Sequence, residues 1–434
     1  MDSTVTDPPP DALDKSPPAS SLRRMAILLA TGWLTTNLAI FIADLPLKFL
    51  LKEQIGLTAA GVSLFFVIGN FTNYIKPVAG FFIDSVPFFG TRRRHYILLG
   101  IGAGGVFWVL LGLVPRTYPS LLFTYTLFYI TVVITSTSLG GKMVEVGQEH
   151  SAAGRLTAQR IATFRIAAVV GGVAGGWLAT RAFGWTVGIG AALHFWLFGL
   201  YYFTMPEKPA AKTSRRVGQE ARRQLKTLLK SRTLLTAALM VFLLEVSPGF
   251  GTPLLFYQSN VLHFSKPYVG LLASVGAGFG LLGAIGYGLV CRRFSLRGLI
   301  NLSIVVHTAG TLLYLYYHSR ESALIITAVN GVTVTLATLP VYDLAMRATP
   351  RGSEAVGYSV MMSVWNFTGA FSDWLGSALN TYLHVDFHRL VWLNAGTTAL
   401  ILFAVPLTPR LLLASRDGDS LAAETSEAVI AERS

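Results

Sequence analysis

The chain has 434 residues, of which 52% are hydrophobic and 13% charged, with a formal net charge of +13 and a single cysteine, Cys291. A charged share roughly half that of an ordinary soluble domain excludes a soluble fold of this size, and one cysteine excludes an intramolecular disulfide or a multi-cysteine metal or redox centre. The positive balance does not mark a nucleic-acid binder, because no polar domain gathers it.

Residues 1–22 are rich in Pro, Asp and Ser and read as a disordered tail. After Arg23 and Arg24 the first of about twelve apolar stretches begins, too long for a signal-peptide core and therefore its own insertion signal. Hydrocarbon about 30 Å thick needs roughly 20 helical residues. Helices are expected near 24–50, 58–83, 95–114, 119–141, 157–180 and 184–204, then 233–259, 266–290, 297–317, 322–346, 354–380 and 388–412. The parts are thus an N-terminal six-helix bundle (23–204), a basic linker (205–232), a C-terminal six-helix bundle (233–412) and a polar tail (413–434). The fold class is all-α integral membrane.

Most Lys and Arg fall on the loops that share a side with the N-terminus, which places both termini in the cytoplasm. The linker, with Arg215, Arg216, Arg222, Arg223, Lys226 and Lys230, has the composition of a helix lying on anionic headgroups. The lipid bilayer is the partner this charge implies, and a bacterial inner membrane suits the short tails.

The two halves repeat their landmarks. Gly80-x-x-x-Asp84 followed by Gly90 and Arg92-Arg93-Arg94 has a counterpart in Gly286-x-x-x-Val290 and Arg292-Arg293, and the first helix of each half carries a polar break, at Thr35-Thr36-Asn37 and at Glu245-x-Ser247-Pro248-Gly249. Two parallel six-helix repeats are the architecture of major facilitator transporters, with substrate held between the halves near the midplane.

The run Lys76-Pro77-x-x-Gly80-x-x-x-Asp84-x-x-Pro87-x-x-Gly90-x-Arg92-Arg93-Arg94-x-Tyr96 resembles the signature of the folate–biopterin transporter family of that superfamily. The resemblance continues at Thr252-Pro253-x-x-Phe256-Tyr257, at Phe264-Ser265-x-x-x-Val269-Gly270 and at Ser363-x-x-Asn366-x-x-Gly369-x-x-Ser372-x-x-Leu375-Gly376. It implies secondary transport of folate- or pterin-like solutes, and it nominates Tyr257 and Asn366 as cavity residues. Where that family carries an acidic motif late in the fourth helix, this chain reads Ser136-Thr137-Ser138-Leu139-Gly140-Gly141-Lys142-Met143-Val144-Glu145.

Ionisable residues inside a span usually face a cavity or a partner. Glu245 lies about 18 Å along the seventh helix, near the midplane, where a carboxylate can bind and release a proton or fix a neighbouring helix. Arg165 suits a substrate carboxylate, through its bidentate guanidinium, or an internal ion pair. Asn37, Ser136 and Asn330 offer uncharged hydrogen bonds to a heterocycle, or interhelical packing. Asp44 and Lys48, toward the outer end of the first helix, read as an outer gate or as a solvated pair at a helix end. Lys76, Gly80, Asp84, Gly90, Arg92, Arg93 and Arg94 form a candidate gating latch in which the arginines bridge Asp84 or a facing helix end, and Asp343 and Arg347 have gate-like i,i+4 spacing.

The substrate is expected to be small and either anionic or heterocyclic, coupled to a proton or a counter-substrate, and the chain is expected to act as a monomer. No Walker loop, dinucleotide fingerprint, zinc spacing or nucleophile elbow is present, so no enzyme, metal or cofactor is expected. A drug, peptide or sugar permease, or a non-transporting receptor on the same fold, is the alternative.

Overall fold

The computed structural model describes residues 19–86, 88–91, 93–206, 231–291, 293–347 and 354–407. The expectations for the two tails, for most of the basic linker and for Arg92 lie outside these residues. Among those described, the α-helices in chain order are α1 (Ala19–Phe49), α2 (Ala59–Gly69), α3 (Lys76–Ser85), α4 (Arg94–Leu113), α5 (Tyr118–Glu149), α6 (Ala153–Leu178) and α7 (Phe183–Thr204) in the first half. The second half has α8 (Arg232–Glu245), α9 (Gly251–Phe256), α10 (Lys266–Val290), α11 (Leu296–Leu312), α12 (Arg320–Arg347), α13 (Glu354–Tyr382) and α14 (Phe387–Leu400). Eight helical segments are long and apolar enough to cross a membrane by length and composition. Two further crossings are broken helices, α2 with α3 and α8 with α9; α13 and α14 complete twelve.

Within each half short connections make successive crossings antiparallel, so the bundle has a terminal face, where α1 begins, and a far face. Hydrophobic cores lie in two tiers. In the first half Phe65, Trp108 and Leu121 pack toward the far face, and Leu29, Ile97 and Tyr201 toward the terminal face. Val241, Ile300 and Leu344 form the terminal-face core of the second half. A fourth cluster joins Leu45 and Phe49 of α1 to Leu272, Tyr314 and Phe387, and so holds the halves together at the far face. Large side chains such as Phe123, Phe203 and Leu289 are exposed all round the bundle, more apolar surface than a soluble monomer shows.

The first crossing runs further than expected, from Ala19 through a π-helical turn at Leu50–Gln54. The second was expected to be continuous and is interrupted by a 3-10 segment at Phe71–Ile75. Pro77 is the physical reason. It has no N–H to donate to the preceding turn and its ring excludes a helical carbonyl, so α3 restarts with Pro77 in its first turn. Asn70, at the break, accepts a hydrogen bond from the Tyr125 hydroxyl at 2.9 Å, and the Tyr74 hydroxyl donates back to the Val67 carbonyl at 3.0 Å.

The seventh crossing breaks where its Ser-Pro-Gly sequence predicts, and the released backbone groups find partners on α13 and α14. Gly249 N–H donates to the Ser372 carbonyl at 2.8 Å, and the Ser372 hydroxyl donates to the Ser247 carbonyl. The Asn394 amide donates to the Pro248 carbonyl at 3.0 Å. Thr252 donates to Asp373 twice, from its N–H at 2.8 Å and its hydroxyl at 2.6 Å. A helix break at membrane depth persists only with such replacements.

Candidate functional site

Glu245 is the last residue of α8, half-buried at the edge of the break. The Trp365 indole of α13 stands beside its carboxyl, and Trp365 meets Tyr342 of α12 edge-on at 5.4 Å. Tyr342 is the hub of the site. Its hydroxyl is within electrostatic range of Glu245, of Tyr358 on α13, and of both Arg160 and Arg165 on α6. Groups from both halves therefore meet around one phenol.

Arg165 donates to the Thr335 hydroxyl at 3.4 Å across the boundary between halves. It also lines a cavity of about 390 Å³ together with Asp44, Lys48, Gln258, Asn330 and Thr335. That volume falls within the range of small-molecule sites. Asp44 and Lys48 are paired at 2.9 Å, and the pair opens onto this cavity rather than standing at a solvated helix end, because α1 continues past it. Lys48 also feels the Asp373 charge of α13, which brings the two halves within reach of one ammonium.

On the terminal side of Arg165, Arg160 sits over the Trp33 ring of α1 at 4.6 Å. It is exposed although it lies about two turns inside α6, so the gap between the halves admits solvent there. Lys76 opens α3 and is near enough to Arg160 for their charges to interact. Neither Lys76, Arg160 nor Arg165 pairs with a carboxylate among the described residues.

The far face is closed. Lys266, the first residue of α10, donates to Glu53 at 2.6 Å, and Lys52 donates to the Ser259 hydroxyl at 2.9 Å. The N–H of Ala60 donates to the Thr381 hydroxyl at 3.2 Å. All three bonds cross between halves. Beneath them α6 and α10 touch through backbone: a Cβ at Gly176 would stand 2.8 Å from the Gly270 Cα, and one at Gly172 would stand 2.9 Å from the Gly270 carbonyl oxygen.

The remaining expected site residues divide. Asn330 lines the cavity. Asn37 donates to the Trp33 carbonyl at 2.7 Å and Ser136 to the Val133 carbonyl at 3.2 Å, both bonds within their own helices. Asn366 is half-buried on α13, next to Trp365. Tyr257 departs from expectation: its ring stacks on Phe387 at 4.4 Å with planes 14° apart, and so belongs to the far-face apolar cluster rather than the cavity.

Of the candidate latch, Arg93 and Arg94 meet facing helix ends, one of the two arrangements expected. Arg93, 7% exposed, donates to Glu145 of α5 at 2.6 Å, with Lys142 on the other carboxylate oxygen at 3.4 Å. Arg94 donates to the Tyr202 carbonyl at the end of α7 at 2.7 Å. Both arginines thus bind helix ends of their own half, because the turn before α4 aims them at α5 and α7. That turn needs Gly90, at φ +73°, and is closed by reciprocal backbone bonds between Phe88 and Thr91. Gly80 is less constrained, since a Cβ there would make an ordinary 3.6 Å contact with Thr137. Asp84 lies in α3, with its side chain outside the described residues. Asp343 and Arg347 form the expected i,i+4 pair through two bonds of 2.8 Å, contained within α12.

Sequence reasoning passed over Arg160, Tyr342, Tyr358 and Trp365. Arg160 carried the same signal as Arg165, a charge within a span, but sits near enough to the helix start to read as a headgroup contact. The aromatic residues carried no signal that distinguished them from packing.

A profile of the BT1 family matches residues 38–429. The chain is 27% identical to a folate-biopterin transporter of Synechocystis, with 92% of this chain and 86% of that relative covered. It is 24% identical to folate transporter 1 of Plasmodium falciparum over 79% of this chain and 70% of that one. Among solved structures, a mutant of the nucleoside transporter NupG superposes with a TM-score of 0.70 at 13% identity, covering 88% of this chain and 99% of that one. A D-xylose-proton symporter superposes with a TM-score of 0.68 at 13% identity, over 89% and 97%. The fold is thus that of the major facilitator transporters, twelve crossings in two six-helix halves, and the chain is a multi-pass membrane protein.

Proposed function

Because this chain belongs to the BT1 family, matched over residues 38–429, we propose that it is a secondary transporter that moves a folate- or pterin-like solute by alternating access. The observation that carries the mechanism is the asymmetry between the two faces. Bonds from Lys266, Lys52 and Ala60 close the far face across the halves, while Arg160 stays open to solvent on the terminal side. This asymmetry supports a carrier open toward its termini, with substrate admitted as far as Arg165 and the cavity behind it.

Glu245 is the proton-coupling residue in this reading. It sits where a helix break, an aromatic hub and two arginines meet, and a carboxylate at that position can report its protonation to both halves. Arg165, Asn330 and Thr335 hold substrate. The positive-inside bias supports a cytoplasmic location for both termini, and one chain suffices for the cycle.

The test is uptake of labelled folate, and separately of an uncharged pterin, into proteoliposomes with and without an imposed pH gradient. Saturable uptake stimulated by the gradient supports the reading. Folded protein that moves neither compound overturns it, and binding without flux assigns the chain a receptor role instead.

A further inference from the structure

The mechanism above uses Arg165 and leaves two other cations between the halves without employment. Lys76 and Arg160 are close enough for their charges to interact, neither has a carboxylate partner among the described residues, and Arg160 is exposed in the gap. Two like charges beside one another in a membrane protein are costly unless an anion joins them. The residues around them are aromatic: Trp33 lies under the Arg160 guanidinium at 4.6 Å, and Tyr342 and Tyr358 come within electrostatic range of it from the other half. Glu245 comes within electrostatic range of the same phenol, but it forms no ion pair with Lys76 or Arg160 among the described residues.

We infer that Arg160 and Lys76 form an anion-reading pair that grips the carboxylates of the substrate, and that Arg160 sets selectivity for carboxylate-bearing solutes over uncharged heterocycles. This rests on the transporter reading above and narrows its substrate class. A guanidinium presents two parallel donors to a carboxylate, and the neighbouring ammonium takes a remaining oxygen or a second carboxylate. Arg165 and Thr335, deeper in, then meet the polar edge of an attached ring system, and the 390 Å³ cavity receives it. The charge pair lies toward the terminal face and the cavity toward the far face, so a solute with an acid tail and a flat heterocycle has one orientation that satisfies both.

The full-length protein in detergent tests this by equilibrium binding of three probes: folate, p-aminobenzoylglutamate, which has the carboxylates and no pterin, and 6-hydroxymethylpterin, which has the ring and no carboxylate. The wild type is expected to bind folate tightest and to bind p-aminobenzoylglutamate measurably. Arg160→Gln and Lys76→Gln are each expected to weaken folate and p-aminobenzoylglutamate by roughly 10- to 100-fold, the scale of a lost charge-assisted bond, while leaving pterin binding unchanged. Arg160→Lys, which keeps the charge but not the fork, recovers part of the loss. Unchanged pterin binding in the Gln variants also reports that they are folded.

Equal weakening of all three probes overturns the inference, as does a wild type in which p-aminobenzoylglutamate fails to compete with folate. If the wild type binds p-aminobenzoylglutamate and other aromatic dicarboxylates but neither folate nor pterin, the anion-reading pair stands and the folate reading falls.

Discussion

Lys266 donates to Glu53 at 2.6 Å across the far face, joining the first residue of α10 to the end of the first crossing and so one six-helix half to the other. Their side chains are 28% and 43% exposed. A pair this open to water contributes at most about 1 kcal/mol. Its significance is its position, since it must break each time the far face opens. Glu53→Gln is therefore expected to favour the far-open state by roughly two- to five-fold in population. Spin labels at Arg116 and Tyr382, one on each half at the far face, measure the change as growth of the longer-distance population. An unaltered distance distribution would remove this pair from the gate.

Glu245→Gln keeps the shape of the side chain and abolishes its ionisation. If Glu245 carries the coupled proton, uptake no longer responds to an imposed pH gradient, and the ratio of uptake with and without the gradient falls to unity. Exchange of labelled for unlabelled substrate continues, because it needs no net proton movement. Proteoliposome uptake across pH 5 to 8 distinguishes the two outcomes, and a variant with the full gradient response returns Glu245 to a packing role.

Arg93 and Glu145 join α4 to α5 inside one half, so their loss is expected to destabilise the protein rather than alter gating. Removing a buried guanidinium that a carboxylate and a lysine have organised around costs about 2–3 kcal/mol. Gly141 supplies a separate test: a Cβ there would overlap the Arg93 guanidinium. Gly141→Ala and Arg93→Ala should lower the unfolding temperature in detergent by similar amounts, and the double variant by less than their sum. Full additivity would mean that the two residues do not share one interaction.

Asp373 accepts both the N–H and the hydroxyl of Thr252, and so holds the restart of the broken seventh crossing against α13. Asp373→Ala leaves two donors unpaired and is expected to cost about 2–4 kcal/mol. Asp373→Asn retains one acceptor oxygen and loses about half as much. Hydrogen exchange over 246–256 reads this directly. Protection equal to wild type in the alanine variant would show that the remaining bonds to Ser372 and Asn394 suffice.

The crossings and the Pro248 break could be read from the sequence because hydrophobic length and proline chemistry are local properties. Glu245 was legible for the same reason: a carboxylate at midspan stands out against apolar neighbours. Facing direction was not legible. Helices that meet lipid on one side and protein on the other are apolar all round, so hydropathy gives their extent but not their rotation. That is why Tyr257 reads as a cavity residue although it stacks on Phe387, whereas Arg160 lies too near the start of its helix to stand out. The partner of Arg93 was hidden for another reason. Glu145 lies 52 residues away, and only the fold brings them together. The 3-10 segment at Phe71–Ile75 was foreshadowed by Pro77, whose effect falls on the turn before it.

The meeting of Gly172 and Gly176 with Gly270 is a contact of main chain on main chain. Such a surface works as a bearing. It has no rotamers to sort and few teeth to disengage, so one helix can tilt on the other without a new set of interlocks at each angle. The pace of a turnover would then be governed at the rims, where Glu53, Lys266, Lys52 and Ser259 must let go, while the pivot adds little friction of its own.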